Sequence, residues 1–342
     1  MQKIILIFLS LFIISSCDLI ENRWRNAKLP ILNKEMLLSK AWLDTIRTNP
    51  LELRQYGIKG KKKLVELFDA YLAVYNLVSA RERKFIDRRL YDIAKITQHP
   101  EYHNMAFIDD EQFKEDATSY LRLCYLLERR GFNTAVYRQE IKKIIPRLNA
   151  HMPERGINQQ MTFHWYYSYF AIEEPFPSDK SFTKGIIAQK LDTKAMDEKD
   201  AYDLTHEIFA IYEYGDKPNV DFFTENDRIY LKNTLKELII RYTASRDPDL
   251  TAELIICTEL LKMQNDPVFK KAIDYLLSSQ NSDGSFGNYE RLHLIYGDYV
   301  KEGYYLHTTG VVIKALSLAF NDKAKAKVKG NPKLKPQPLL KK

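Results

Sequence analysis

The apolar positions along this chain recur at intervals of three and four residues almost throughout, which is the spacing of amphipathic helices. Residues 64–77 illustrate it, because their apolar and aromatic side chains share one broad side of a helix while most charged ones lie off it. We find no run with the two-residue alternation of a β-strand. The spacing predicts helical segments at roughly 33–47, 60–79, 82–97, 110–130, 134–151, 158–171, 180–191, 198–214, 224–243, 249–263, 266–279 and 304–320.

Prolines and glycines fall between these segments and indicate where helices begin and end. Asp247-Pro248 and Asp266-Pro267 are typical of helix starts, with aspartate as the N-cap and proline in the first turn. About twelve helices with short connections predict an all-α fold, in which paired helices close into a ring or a superhelix. No domain boundary interrupts residues 33–321, so we interpret them as one helical domain.

The first residues predict export from the cytoplasm. Lys3 gives a short basic start, an apolar run follows over residues 4–14, and small residues precede Cys17. The run is too short for an ordinary transmembrane helix, which needs about 20 apolar residues. Residues 1–16 therefore have the layout of a secretory signal peptide.

The stretch Ile14-Ser15-Ser16-Cys17 resembles the lipobox of bacterial lipoproteins. The resemblance implies that cleavage leaves Cys17 as the first residue, that lipid on Cys17 anchors the protein to a membrane, and that residues 17–32 form the tether. We then expect the protein in the bacterial cell envelope, facing the periplasm or the exterior. The alternatives are a cleaved signal peptide with an incidental cysteine and an uncleaved anchor.

The net charge of +7 comes from one end of the chain. Residues 322–342 carry eight lysines and one aspartate, an excess that equals the whole net charge, so the helical body is close to neutral. Such a body gives no electrostatic support for nucleic-acid binding. The tail itself is rich in lysine and proline, which predicts disorder, and it could be attracted to an anionic surface.

Two further cysteines, Cys124 and Cys257, lie in apolar helical contexts. A disulfide between them is possible in an oxidising compartment. Two buried free thiols are favoured, because a domain of this size buries enough apolar surface to fold without a disulfide.

Residues 271–287 resemble the QW repeat of terpenoid cyclases, in which a basic residue, an aromatic residue, leucine, glutamine, glycine and a tryptophan follow in order. Here Gln280, Asp283-Gly284 and Phe286 supply the second half, with Phe286 in place of the tryptophan. The resemblance implies a helix that ends near Gln280, whose amide braces a neighbouring helix. A tight Asp-Gly turn would follow, and Phe286 would fill the gap between outer and inner helices.

About 20 residues further on, the block Tyr304-Tyr305-Leu306-His307-Thr308-Thr309-Gly310 is similar to one in protein prenyltransferase β-subunits, where it opens an inner helix that faces a central cavity. Together the two blocks imply an (α/α) toroid or partial toroid. The chain lacks the cyclases' Asp-x-Asp-Asp acid and the prenyltransferases' Asp-x-Cys zinc ligands, so we expect no metal and no cofactor. Residues 202–215 also resemble uncharacterised bacterial toroid families that carry a Leu-Thr-His helix.

The candidate catalytic residues are two histidines, His206 and His307, each with a tyrosine, Tyr202 and Tyr304. Helical spacing puts His206 beside Tyr202 and Asp203, and His307 lies next to Tyr304 at the start of a helix. In a toroid both histidines would face one bowl. A histidine with a nearby tyrosine can remove and return protons, as β-elimination or hydrolysis of a glycan requires. The alternative is that each histidine is a packed, hydrogen-bonded core residue.

Substrate binding would fall to Asp203 beside His206, to Thr308 at a helix N-terminus, and to His164 and Trp165 in an aromatic cluster suited to a sugar. Paired carboxylates for hydrolysis would have to come from Asp203, Glu207, Asp283 and Glu290, whose spacing singles out no pair. We therefore expect a membrane-anchored lipoprotein that processes a glycan or a peptide at a site in the central cavity of the toroid. The alternative is a non-catalytic binding or assembly lipoprotein of the envelope.

Overall fold

The computed structural model describes residues 2–48, 59–174, 179–215, 217, 220–264, 266–297 and 299–320, with side chains from residue 23 onward except 59, 179 and 180. Within this part of the chain all regular structure is helical, as the sequence predicts. The helices of seven or more residues are α1 Gln2–Asp44, α2 Lys59–Tyr75, α3 Ala80–Ile96, α4 Asp110–Arg129, α5 Ala135–His151, α6 Ile157–Phe170, α7 Glu198–Ile211, α8 Glu225–Ala244, α9 Pro248–Leu260, α10 Pro267–Ser278, α11 Glu290–Tyr296 and α12 Leu306–Phe320.

The two predicted Asp-Pro helix starts are confirmed. The Asp247 carboxylate accepts hydrogen bonds from the backbone amides of Asp249 and Leu250, and Pro248 lies in the first turn of α9. Asp266 caps α10 in the same way. These caps satisfy amides that have no partner inside the helix, so they fix where α9 and α10 begin.

Six helices contact one another in a closed cycle. Helix α2 packs on α4, α4 on α6, α6 on α7, α7 on α9, α9 on α12, and α12 again on α2. Most of the remaining helices contact members of this cycle: α1 contacts α12 and α2, α3 contacts α2, α5 contacts α4, and α8 and α10 contact α9. The core between these helices is rich in aromatic side chains, among them the fully buried Tyr71, Tyr102, Tyr120, Tyr137, Tyr166, Phe68, Phe113 and Phe163.

Helix α1 includes the segment that we expected to be a tether. It is helical from Gln2 to Asp44, and its part from residue 24 onward packs on the domain. Trp24 stacks on Phe320 with ring centroids 5.7 Å apart, and the Lys28 ammonium lies 2.8 Å from the Asp274 carboxylate. The segment expected as a tether thus contacts the end of α12 through Trp24.

The segment that resembles a QW repeat contains a bracing amide, a tight turn and a buried aromatic ring. The Gln280 amide donates to the backbone oxygen of Glu35 and to Ser39 Oγ, at 2.9 and 2.8 Å, and so braces α1. Gly284 has φ +97°, and a Cβ there would lie 2.3 Å from the Leu38 carbonyl oxygen. Phe286 is fully buried. The turn therefore ties α10 to α1 through contacts that only glycine at position 284 permits.

We predicted no helix between residues 279 and 304. The structure has α11 there, and a π-helical turn, Lys301–Tyr305, leads directly into α12. Helix α11 has no buried residue, and Leu294 is 92% exposed, so it lacks the apolar periodicity that would indicate a helix. The predicted lysine-rich tail, 322–342, lies outside the described residues.

The favoured state of the two cysteines is confirmed, since Cys124 and Cys257 are both buried free thiols. Among the described residues, none of the helices combines the length and the apolar character needed to cross a membrane. The Cys17 backbone lies in α1, and its side chain is outside the described part of the structure.

Candidate functional site

A cavity of about 590 Å³ opens where four helices of the closed cycle begin. The first turns of α2, α7, α9 and α12 and the π-helical turn before α12 form its wall. Helix N-termini carry a partial positive charge, and single π-helical turns occur often at functional sites. The described residues that line the cavity are Lys62, Glu198, Tyr202, Arg246, Asp247, Pro248, Asp249, Asn288, Tyr289, Tyr299, Gly303, Tyr304 and His307.

His307 is held between two carboxylates. Its Nδ1 lies 2.9 Å from Glu66 Oε1, and its Nε2 lies 3.8 Å from Asp249 Oδ2. Burial acts to lower the pKa of His307, but the negative charges of Asp249 and Glu66 outweigh it and raise this pKa to about 9. The ring is therefore an imidazolium at neutral pH, and its Nε2 lies on the side of Asp249, which also lines the cavity.

Asp249 is also bound by Tyr202, whose hydroxyl donates to Asp249 Oδ2 at 2.6 Å. Burial and the Asp249 charge raise the pKa of Tyr202 far above its ordinary value, so the phenol keeps its proton and acts as a donor. The second oxygen, Asp249 Oδ1, is buried and accepts no hydrogen bond from any described residue. An unpartnered buried acceptor is costly, so Oδ1 is a ready acceptor for a water or a ligand hydroxyl.

His206 lies one helical turn after Tyr202 and does not line the cavity. Its Nδ1 is 2.8 Å from the Tyr202 backbone oxygen and 3.8 Å from the buried Glu253 carboxylate, which also accepts from Thr205 Oγ1. Burial raises the pKa of Glu253, while the positive charges of His206 and His307 act on the same carboxyl and lower it. The Glu253 carboxyl is therefore influenced by both histidines that the sequence singled out. Of these two histidines, only His307 lines the cavity.

Tyrosines cover one side of the cavity. The rings of Tyr289 and Tyr304 lie 5.4 Å apart, and Tyr299 contacts Tyr304 from the other side at 6.2 Å. Thr308 is fully buried and does not line the cavity; it holds the Tyr289 hydroxyl at 2.6 Å. The wall is therefore rich in aromatic rings, which suit the apolar faces of sugars.

Three other sequence-predicted residues lie away from this cavity. Asp203 accepts from Asn158 of α6 and pairs with Lys199, so its carboxylate links α7 to α6. His164 pairs with Glu174. Trp165 is 5% exposed and packs against Tyr125 and Tyr166 in the core.

The carboxylates proposed for hydrolysis also do not meet in the cavity. Glu207 is buried, and its two oxygens accept from the amides of Ile186 and Ile187 at 2.6 and 3.1 Å. Asp283 and Glu290 line a second, neighbouring cavity. The two carboxylates that contact His307, Asp249 and Glu66, were missed. Asp249 lies in the first turn of α9, where the helix dipole equally explains an acidic residue.

The donor groups of the described residues show no metal site, since no three of their histidines, cysteines and carboxylates are grouped to hold an ion. Residues 58–293 match the model of a family described as "Domain of unknown function (DUF6895)". The match spans α2 to the middle of α11, so it includes Tyr202 and Asp249 and ends before His307. No curated protein and no solved structure matches the chain.

Proposed function

We propose that this chain, which belongs to the DUF6895 family, is a lipid-anchored protein of the bacterial cell envelope that processes a glycan in the cavity beside His307. The observation that carries the proposal is the network Tyr202–Asp249–His307–Glu66 at the wall of a tyrosine-lined cavity. Carboxylates and aromatic rings together are what a hydroxyl-rich ligand requires. A peptide is the weaker candidate ligand, because Pro248 is the only aliphatic side chain among the described residues of this wall.

The fold that we propose is an (α/α) toroid. Its support is the closed cycle of contacts from α2 round to α12, and the contacts that most of the other helices make with members of that cycle. The helix starts that surround the cavity all belong to members of that cycle, as they would in the bowl of a toroid. The Gln280 brace and the buried Phe286 agree with the QW-like resemblance.

The lipid anchor rests on Cys17 and the residues before it, Lys3 and the apolar run 4–14. Acyl labelling of the protein in cells, followed by membrane fractionation, tests the anchor. We expect Cys17→Ala to lose the label and leave the membrane, because the thiol is the site of the first acyl transfer. Ser16→Ala, which keeps a small residue before the cysteine, should retain both. Unchanged labelling of Cys17→Ala would contradict the anchor.

β-Elimination is the reaction that the network supports best, because its base and its acid can lie on the same face of the sugar, as Asp249 Oδ2 and His307 Nε2 do at 3.8 Å. Asp249 removes a proton from the carbon next to a carbonyl group of the glycan, and the electrons of that bond form a carbon–carbon double bond. The bond from the neighbouring carbon to the leaving sugar oxygen breaks, and the oxygen takes the Nε2 proton of His307. Tyr202 orients Asp249 by its hydrogen bond, and the charges of Asp249 and Glu66 keep His307 protonated before the reaction.

A turnover assay tests this reaction. The protein is incubated with a panel of envelope and extracellular polysaccharides, and new reducing ends are measured. We expect Asp249→Asn to lose at least about a hundredfold in rate, since the base is gone while its shape remains. His164→Gln, which alters a histidine–carboxylate pair away from the cavity, should keep the wild-type rate. Equal rates for Asp249→Asn and the wild type would overturn the assignment.

A non-catalytic binding or assembly lipoprotein is the second candidate, and one observation favours it. Both His307 and Tyr202 have raised pKa values, so neither is a base near neutral pH. In this second candidate the same cavity only holds a ligand. Binding of a panel member that is never cleaved, lost in Asp249→Ala, would select this candidate over the enzyme.

A further inference from the structure

A second cavity of about 1010 Å³ adjoins the first. Arg246, Pro248 and Asn288 line both cavities, so the two are continuous along the surface between α8 and α9. A single cavity of about 300–1,000 Å³ already takes a small organic ligand. Two adjoining cavities of this size therefore have room for several units of a chain polymer rather than for one small molecule.

The lining of the second cavity is also suited to sugars. It combines the rings of Trp42, Tyr275 and Tyr305 with serine hydroxyls and the Asn281 amide. Its aliphatic surface is confined, among the described residues, to Pro248. Aromatic faces next to small polar groups bind sugar rings through their apolar faces and their hydroxyls.

Arg246 lies where the two cavities meet, and its side chain is exposed. Its guanidinium makes no hydrogen bond or ion pair with any described residue. The neighbouring acids are mostly engaged elsewhere, since Asp249 binds Tyr202 and Asp247 caps α9. Among the described acids that line the first cavity, Glu198 is the one whose carboxylate makes no hydrogen bond with another described residue. A guanidinium without a partner at the junction of two cavities is a natural partner for a carboxylate, which it can bind through two hydrogen bonds.

The backbone at Arg246 shows that this side chain is kept at a cost. Arg246 has φ +60° and ends α8 in a Schellman motif, with its amide donating to Thr243 and the Asp247 amide donating to Tyr242. Glycine is the favoured residue at this left-handed position, because any side chain is strained there. Arg246→Gly therefore removes the side chain and relieves this strain, so it should not lower the Tm.

We infer that the two cavities form one groove for a linear acidic polysaccharide, and that Arg246 binds a carboxylate of that polymer at the junction. The inference rests on the proposed function, because it names the substrate class of the same site. It also implies that the protein binds within a chain rather than only at its end, since the groove continues on both sides of Arg246.

Calorimetric titration of the full-length protein tests the inference. The probes are hexasaccharides of galacturonate, mannuronate and glucuronate, each paired with its carboxyl-reduced neutral counterpart. We expect at least one acidic probe to bind about tenfold more tightly than its neutral counterpart, as the loss of one charged hydrogen-bonding pair implies. Arg246→Gly should bind both forms alike, with a Tm that is equal to or higher than that of the wild type.

Lys262→Gly is the matched control. Lys262 is also a basic residue in the left-handed position of a Schellman motif, after α9, with φ +58°, and it lines neither cavity. We expect Lys262→Gly to keep the preference for the acidic probe. A preference that survives in Arg246→Gly, or equal binding of the acidic and neutral forms by the wild type, would overturn the inference alone. Failure of every probe to bind the wild type would overturn the proposed glycan function with it.

Discussion

His307 Nδ1 and Glu66 Oε1 lie 2.9 Å apart, although 241 residues separate them in the sequence. The contact joins the start of α12 to α2, which is where the cycle of helices closes. His307 can therefore hold its position only when the first and last helices of the cycle are packed together. Because Glu66 also keeps the imidazole charged, the closure of the fold and the protonation of the site depend on the same pair.

The first prediction concerns the pKa of His307. Glu66→Gln keeps a side chain of similar size and removes one of the two negative charges that raise this pKa to about 9. We expect the pKa to fall toward the ordinary value of 6.5, as measured by NMR of the imidazole resonances. Glu174→Gln, which removes the partner of His164 instead, should leave the His307 titration unchanged. An unaltered His307 pKa in Glu66→Gln would show that this carboxylate is not the cause.

The same shift predicts how stability depends on pH. The folded-state pKa of His307 is raised above 6.5, so the folded state binds the proton more tightly than the unfolded state does. Its contribution to the free energy of unfolding is complete below pH 6.5 and is lost as the pH rises to about 9. Denaturant unfolding of His307→Gln should therefore show a flatter pH dependence than the wild type across this window. A parallel dependence would contradict the assignment.

Glu207 provides an independent test of pH dependence. Burial raises its pKa from 4.5 to about 7, although two backbone amides favour the charged form. Since the folded state holds the proton more tightly, its contribution is greatest below pH 4.5 and is lost as the pH rises through about 7. Glu207→Gln, which retains one acceptor for the amides, should remove this dependence. Unfolding curves collected across that range would detect it, and an unchanged dependence would rule out Glu207.

Alanine substitutions at Gly284 and Gly297 together test the close contact made by the turn that resembles a QW repeat. Both glycines have positive φ, so alanine costs about 1–3 kcal/mol in backbone strain at either position. At Gly284 the new Cβ would also lie 2.3 Å from the Leu38 carbonyl oxygen, whereas at Gly297 it would meet nothing within 4 Å. We expect Gly284→Ala to lose at least about 1 kcal/mol more than Gly297→Ala in denaturant unfolding, because overpacking adds to strain. Equal losses would mean that α1 moves away without cost.

Much of the fold could be predicted from local patterns. Helix positions followed from apolar spacing, and the Asp247 and Asp266 caps followed from the Asp-Pro pairs. The bracing role of the Gln280 amide was expected from the resemblance to a QW repeat, and local spacing could not have given it, since its partner in Glu35 is 245 residues away in the sequence. Helix α11 was missed because it buries none of its residues and so shows no apolar face.

The site was predicted only in part, because its contacts are long-range. Tyr202, Tyr304 and His307 were identified from their chemistry, and all three line the cavity. Nothing near Asp249 in the sequence indicates that it receives the Tyr202 hydroxyl from 47 residues away. Thr308 was chosen as a free hydroxyl at a helix start, and only the packed structure shows that Tyr289 covers it.

The central claim is that a glycan binds in the cavity beside His307, and histidine NMR tests it most directly. The chain has seven histidines, so the imidazole resonances report on distinct parts of the molecule during titration with the acidic hexasaccharides. We predict that the His307 resonances shift with a saturable dependence on ligand concentration. The resonances of His164, which pairs with Glu174, and of His103, whose ring packs on the buried Tyr137, should not shift. Saturable binding that shifts His164 and leaves His307 unchanged would contradict the account.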